Sequence, residues 1–241
     1  MLKDKCLTLK GLTSISGVWR RLQRWGICYK RGRLYLHSPD PDYAAKVAAV
    51  EQVLALARDN PQQVALLYGD EKTVYRQPDA TKDWGKKARG GKNQPRAVLS
   101  HRSNTKCRLA AAMDAATGAV ISLCRSKAGV REMCQLIRQV RAAYPEHKRV
   151  ALAWDNWPIH RHEEVLKTAA KEHVELLFLP TYAPWTNFIE KLWGWLQKDV
   201  LAAHRLSDQW ETLKQRVLEF LARFEGPSPE LLRVVGLALP D

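Results

Sequence analysis

Short apolar runs alternate along this chain with segments in which hydrophobic residues recur at helical spacing. The apolar runs at 64–68, 150–154 and 175–179 predict buried strands, and the first continues into a second extended piece through Arg76. Residues 107–123 predict two further strands joined by a turn. Helices are predicted at about 12–25, 42–58, 130–143, 161–172, 186–203 and 207–224.

The order of these elements indicates the fold class. Several strands come first, and helices then alternate with the remaining strands, which is typical of an α/β domain. The segment before this domain is different, because an amphipathic helix at 12–25 is followed by a basic turn and a short strand at 27–36. That pattern is typical of the recognition helix and wing of a helix-turn-helix unit. An ordinary amphipathic helix with a solvated basic face is the alternative.

Positive charge is concentrated in two parts of the chain. The formal net charge is +14, and each of the segments 1–36 and 81–108 contains nine Lys or Arg and a single Asp. The rest of the chain is therefore close to neutral, so the two basic segments predict contact with a nucleic acid. The polar, glycine-rich stretch at 78–95 is either a loop that reaches DNA or a partner subunit, or a solvated loop. The candidate DNA-binding residues are Arg20, Arg21, Arg24, Lys30, Arg31, Arg33, Lys86, Lys87, Arg89 and Lys92.

Membrane and disulfide-rich classes are not expected. No apolar run approaches the roughly 18 residues that span a bilayer, and the N-terminus lacks the apolar region of a signal peptide. The five cysteines are widely spaced and form no CxxC pair, which argues against a disulfide framework and a structural zinc site. We therefore expect a cytoplasmic protein with reduced thiols.

Three acids occupy positions at which strands end. Asp70 follows the first strand, Asp155 ends the fourth, and Glu190 comes about one turn into the helix after the fifth. Carboxylate oxygens suit Mg²⁺ or Mn²⁺, and two such ions can activate an attacking oxygen and stabilise a leaving one in phosphoryl transfer. Each acid also has a structural interpretation. Asp70 could form a turn while Glu71 binds the metal, Asp155 could cap a helix, and Glu190 could complement a helix dipole.

Three sequence blocks carry a family resemblance. They are GDEK at 69–72, DNWPIH at 155–160, and LPTYAPWTNFIE at 179–190, which continues into KLWGWL. Together, in this order, the blocks resemble those of the mariner-like superfamily of DDE transposases, including those of bacterial insertion sequences. The 34 residues between Asp155 and Glu190 match one spacing typical of that superfamily.

The resemblance implies a ribonuclease-H-like fold, with a mixed sheet of three antiparallel strands followed by parallel strands and flanked by helices. It implies that Asp70, Asp155 and Glu190 are the catalytic residues and bind two Mg²⁺ or Mn²⁺ ions. It also assigns the first position to Asp70 rather than Glu71. Residues Asn156, His160 and Asn187 match the blocks as site-shaping or DNA-contacting residues, although Asn156 and His160 could instead be a cap and a solvent-facing imidazole.

The same resemblance gives a domain plan and a set of partners. We predict a partial helix-turn-helix region at 1–36, a linker and helix at 37–62, the catalytic domain at 63–206, and a C-terminal helix and tail at 207–241. The substrate would be double-stranded DNA at transposon ends and target, bound by a homodimer in the bacterial cytoplasm and associated with the nucleoid. Relatives usually carry a bipartite DNA-binding region, whereas this chain has room for about half of one.

Three functions fit these observations. The first is a transposase that cleaves DNA at transposon ends with divalent metal ions and transfers the freed strand to target DNA. The second is a DNA-binding relic or regulator that has the fold but no catalysis. The third is a nuclease of related fold that hydrolyses DNA without joining it.

Overall fold

The computed structural model describes residues 14–27, 37–79 and 96–238. The chain divides into two units, Met1–Leu36 and His37–Asp241. In the first unit the described residues form one helix, α1 (Ile15–Arg24), which begins where the Ser14 hydroxyl accepts a hydrogen bond from the Gly17 N–H at 3.1 Å. The helix exposes the predicted DNA-binding residues Arg20, Arg21 and Arg24. The other predicted DNA-binding residues, Lys30, Arg31, Arg33, Lys86, Lys87, Arg89 and Lys92, lie outside the described residues.

A five-stranded mixed sheet with the strand order β3-β2-β1-β4-β5 forms the centre of the second unit. Strands β1, β2 and β3 pair antiparallel, whereas β1 and β4, and then β4 and β5, pair parallel. The predicted ribonuclease-H-like sheet is confirmed, and the two extended pieces expected at 64–76 form one continuous strand. The strands are β1 Val64–Tyr75, β2 Lys106–Asp114, β3 Val120–Arg125, β4 Arg149–Trp154 and β5 Val174–Phe178.

Helices cover both faces of this sheet, which explains why its strands read as continuous apolar runs rather than as alternating patterns. Leu66 and Tyr68 of β1 belong to a core under the first helix and the last three helices of the unit, whereas Ala65 and Leu67 face the core under the other two helices. No helix in the described ranges combines the length and apolarity needed to cross a membrane. The helices of this unit are α2 Tyr43–Asp59, α3 Val130–Ala143, α4 Glu163–Lys171, α5 Glu190–Leu196, α6 Trp210–Ala222 and α7 Pro229–Val235.

The C-terminal third departs from the sequence prediction in two ways. The single helix expected at 186–203 is a 3₁₀ turn at Pro184–Thr186, then α5, then a π-helical turn at Gln197–Leu201. Helix α7 was not predicted, because Pro227 and Pro229 suggested a tail. Pro229 is in fact the first residue of the helix, where its missing N–H costs nothing, and the Ser228 hydroxyl caps the helix by accepting from the Leu231 N–H at 3.1 Å.

Candidate active site

The parallel pairing of β1 with β4 brings the first two predicted acids to the same edge of the sheet. The strand register pairs Tyr68 with Ala153, and Asp70 and Asp155 each stand two residues beyond that pair. Strand β4 ends at Trp154, whereas β1 continues because it still pairs with β2 on its other side. Asp70 is therefore fixed within a strand, and Asp155 begins a loop.

The third acid reaches this edge through the loop that follows β5. Glu190 is the first residue of α5 rather than a residue one turn inside it. The start of this helix is anchored to β1, because the buried Asn187 donates a hydrogen bond from Nδ2 to the Gly69 carbonyl at 3.0 Å. One turn later, the buried Trp193 donates from Nε1 to Asp70 Oδ2 at 2.9 Å.

All three acids line one open cavity of about 410 Å³. Within the described ranges, no group of three His, Cys, Asp or Glu side chains is close enough to hold a metal ion as it stands. The three carboxylates that the resemblance implies as metal ligands are thus spread around a common space. The other lining residues are Asn156, Trp157, Leu179, Pro180, Thr181, Tyr182, Ala183, Pro184 and Asn187.

Asp70 is the electrostatically strained member of this set. Burial raises the pKa of Asp70 from 3.8 to about 7, and the charges of Glu190 and Glu71 raise it in the same direction, against the hydrogen bond from Trp193. Partial burial also raises the pKa of Glu190. The negative charge of Asp155 raises this pKa further, whereas the positive charge of Lys72 lowers it. Burial, together with repulsion between neighbouring carboxylates, thus makes ionisation of Asp70 and Glu190 less favourable than in water.

His160 joins Asp155 to Glu71 beneath the cavity. Its imidazole is fully buried, with Nδ1 2.9 Å from Asp155 Oδ1 and Nε2 3.0 Å from Glu71 Oε1. The ring stacks on Trp154 at a centroid distance of 4.1 Å and an interplanar angle of 4°. The alternative of a solvent-facing imidazole is therefore wrong. Glu71, the alternative metal ligand, is engaged by His160 and does not line the cavity.

These contacts fix the charge states of the bridge. Burial alone would lower the pKa of His160, but hydrogen bonds to Asp155 and Glu71 raise it to about 9, so the imidazole is charged at neutral pH and donates to both carboxylates. Partial burial would likewise raise the pKa of Asp155, yet hydrogen bonds from His160 and from the Trp157 N–H, at 2.9 Å, lower it. Asp155 is therefore held ionised while Asp70 is close to half-protonated near neutral pH.

Asn156 connects the end of β4 to the loop after β5. Its Nδ2 donates to the Leu179 carbonyl and, at 3.4 Å, to the Thr181 hydroxyl, while Arg161 donates to its Oδ1. The guanidinium of Arg161 lies 4.3 Å from the centroid of the Phe178 ring. Asn156 is thus a residue that shapes the cavity wall, consistent with one of its two predicted roles.

Sequence reasoning missed two contacts that shape the site. Trp193 packs in the core, and its hydrogen bond to Asp70 was not predicted. The signal available was its position three residues after Glu190, on the same face of the helix. Glu71 was considered only as a metal ligand. Its contact with His160 depends on the pairing of β1 with β4, which no local sequence pattern predicts. Trp195, which lies on the same helix, packs against Phe220 and Phe224.

Comparison with known proteins identifies the class. The profile of the DDE superfamily endonuclease family matches residues 65–214, which contain all three predicted acids. The chain belongs to this family. The DDE family that the sequence blocks predicted is confirmed.

Individual relatives agree in sequence and in fold. The chain is 29% identical over 241 residues to the insertion element IS630 uncharacterized 39 kDa protein of Shigella sonnei, covering 97% of this chain and 67% of that protein. It superposes on the Mos1 transposase paired-end complex with the left transposon end at a TM-score of 0.67 and 21% identity, covering 97% of this chain and 69% of that one. The superposition on the catalytic domain of Mos1 mariner transposase has a TM-score of 0.50 and 17% identity, and it covers 84% of this chain and 91% of that one. The chain thus spans about two thirds of the full-length relatives.

Proposed function

We propose that this chain cleaves DNA at the ends of an insertion element and joins the freed strand to target DNA, with Asp70, Asp155 and Glu190 as its catalytic residues. The observation that carries the proposal is the meeting of these three carboxylates around one cavity in a chain of the DDE family. The raised pKa of Asp70 supports it further, because burial and the charges of Glu190 and Glu71 disfavour its ionised form, and a bound cation would offset these effects.

The cavity fits divalent metal ions. Its charged donors are all carboxylate oxygens, which suit Mg²⁺ or Mn²⁺ rather than a softer metal. The Asn187 Oδ1 atom, which is buried and has no hydrogen-bond partner, offers one more oxygen at the same edge. Structures of the Mos1 mariner paired-end complex contain Mn or Mg. We infer that two such ions bind here and that, when bound, they activate the attacking oxygen and stabilise the leaving one.

The protein's own residues prepare this site. Trp193 and the β1 backbone hold Asp70 from one side, while His160 holds Asp155 from below and keeps it ionised. Asn187 keeps the start of α5 beside β1, which places Glu190 at the cavity. Such supporting hydrogen bonds fix the orientation of ligands before any metal arrives.

DNA is the proposed partner. Structures of Mos1 transposase include a complex with the left transposon end. In this chain, helix α1 presents Arg20, Arg21 and Arg24 to solvent, and we propose that they contact phosphates. We propose the same role for the basic residues outside the described ranges, and a homodimer as the assembly on DNA.

An assay of cleavage and joining tests the function. The wild-type protein is incubated with Mg²⁺ or Mn²⁺ and a plasmid that carries the DNA flanking its own coding sequence. We expect cuts that leave 3′ hydroxyl ends at the element boundary, and products in which those ends are joined to a second DNA. Cuts without joined products would indicate a nuclease, and binding without either would indicate a regulator.

The His160 bridge gives a second measurable prediction. Replacing His160 by Gln leaves a side chain that cannot span Asp155 and Glu71 together, so Asp155 loses its fixed orientation. We expect Mn²⁺ affinity and cleavage efficiency to fall about 10- to 100-fold, as for other residues that support metal ligands. Calorimetric Mn²⁺ titration and cleavage rates measure the two effects.

A double substitution separates this role from simple stability. Glu71→Gln should show a similar loss, and combining it with His160→Gln should add little, because both variants break the same bridge. A positioning role for His160 would be rejected if these variants lowered only the free energy of unfolding and bound Mn²⁺ normally.

A further inference from the structure

Tyr182 stands on the rim of the cavity in a backbone conformation that is uncommon for its residue type. Its φ angle is +54°, in the left-handed region where residues with a Cβ atom are strained. Its side chain is 69% exposed, although the residue lines the cavity together with the three acids. A large ring is therefore held out into solvent beside the carboxylates.

The residues on both sides of Tyr182 are fixed. The Thr181 N–H donates to Asp40 Oδ2 at 2.8 Å, and the Thr181 carbonyl accepts from the Ser38 hydroxyl at 2.6 Å. The carbonyl of the buried Ala183 accepts from both the N–H and the hydroxyl of Thr186, at 3.0 and 2.7 Å. A strained conformation persists where the surroundings over-determine it, as they do here.

The ring has no structural partner within the part of the chain that the structure describes. Its hydroxyl makes no hydrogen bond there, and no other aromatic ring stacks against it. Trp157, the other aromatic residue that lines the cavity, is already engaged, since its ring meets His160 edge to face at 5.6 Å. The core therefore does not explain why a tyrosine occupies this exposed and strained position.

We propose that Tyr182 is a stacking platform for one nucleobase of the DNA strand that enters the cavity, next to the phosphate that is cut. This inference rests on the proposed function. A rim made of carboxylates repels the DNA backbone, whereas an aromatic ring attracts a base face without needing charge, and every base presents such a face. Because the neighbours of Tyr182 fix its backbone, placing the ring on binding costs little backbone entropy. The stacked base would have to leave its duplex neighbours, as flipped bases do in enzymes that act on them.

Two substitutions isolate the ring. Tyr182→Gly removes it and suits a positive φ, so the backbone keeps its conformation. Tyr182→Phe keeps the ring and removes the hydroxyl. The probe is a duplex from the DNA that flanks the coding sequence, with one abasic site moved nucleotide by nucleotide past the cut. Tyr75→Ala serves as the matched control, because Tyr75 is also exposed but lies outside the cavity.

We expect Tyr182→Gly to lower cleavage efficiency on intact DNA about ten- to a hundredfold, and Tyr182→Phe and Tyr75→Ala to change it about twofold or less. At one position the abasic site should lower the cleavage efficiency of the wild type by a similar factor. It should lower that of Tyr182→Gly hardly further, because removing the base and removing the ring abolish the same contact. In addition, 5-iodouracil placed at that position should cross-link on irradiation to residue 182 of the wild type and of Tyr182→Phe, but not of Tyr182→Gly.

Two results would overturn the stacking role. One is normal cleavage by Tyr182→Gly. The other is that, at every position of the abasic site, the losses in cleavage efficiency from Tyr182→Gly and from the abasic site multiply. If Tyr182→Gly unfolds more easily, the cross-link in the wild type still decides, because it needs no variant and no cleavage. Absence of cleavage by the wild type would reject the proposed function instead, so the two failures are distinguishable.

Discussion

Asp155→Asn is expected to lower metal-dependent DNA cleavage on the order of a thousandfold while the protein stays folded. The amide oxygen can still accept the hydrogen bonds from His160 and from the Trp157 N–H, so the side chain keeps its place. What disappears is the negative charge that holds a cation, and with it several kcal/mol of transition-state stabilisation. Glu190→Gln should behave in the same way.

Single-turnover cleavage rates with Mn²⁺ measure this effect, and thermal unfolding confirms the fold. Glu163→Gln is the matched control, since Glu163 is 78% exposed on α4, pairs with Lys167 and lies outside the cavity. We expect that control to cleave at the wild-type rate. Cleavage by Asp155→Asn within a few fold of wild type would remove Asp155 from the catalytic set.

Asp70→Asn is expected to abolish cleavage and yet to stabilise the metal-free protein at pH 8. The pKa of Asp70 is raised to about 7 in the folded protein from an ordinary value of 3.8, so the folded state binds this proton more tightly than the unfolded state. Its contribution to the free energy of unfolding is therefore fully present below about pH 4 and is lost as the pH rises through 7. Asparagine has no proton to lose, and it still accepts the Trp193 hydrogen bond.

The expected gain is about 2–4 kcal/mol at pH 8, since each pKa unit corresponds to about 1.4 kcal/mol, and it should shrink toward pH 5. Urea unfolding in EDTA across this range measures it. Both proteins contain His160, so its titration largely cancels in the difference between their free energies of unfolding. Added Mn²⁺ should stabilise the wild type but not the variant. If the wild type were more stable than Asp70→Asn at pH 8 without metal, the raised pKa of Asp70 would be contradicted.

The sequence predicted the sheet well because its strands are buried on both faces, which leaves a strong apolar signal at 64–68 and 150–154. It also predicted which acids line the cavity, from their positions at the ends of strands and from the family pattern of the three blocks. Taken alone, Asp70 could not be distinguished from Glu71. Contacts between distant elements, such as Glu71 with His160, depend on strand pairing and on side-chain direction. No local periodicity encodes either of these.

The helix missed at 229–235 shows a different limit. Proline predicts the end of a helix from its missing N–H, but the same property favours it at the first helical position, and only the capping Ser228 distinguishes the two. The π-helical turn after α5 is likewise invisible to a 3.6-residue period. Both features lie where the chain returns to cover the sheet.

The last two helices also determine which fragments of this protein can fold. Family similarity ends at residue 214, yet the Val120 N–H of strand β3 donates to the Phe224 carbonyl at 2.6 Å, and the Ser228 N–H donates to Thr117. Leu231 and Val235 fill the same core as β1. A recombinant piece trimmed to the region of similarity would leave the Val120 N–H without its partner and bare a hydrophobic face, inviting aggregation, so expression boundaries should extend past Leu237.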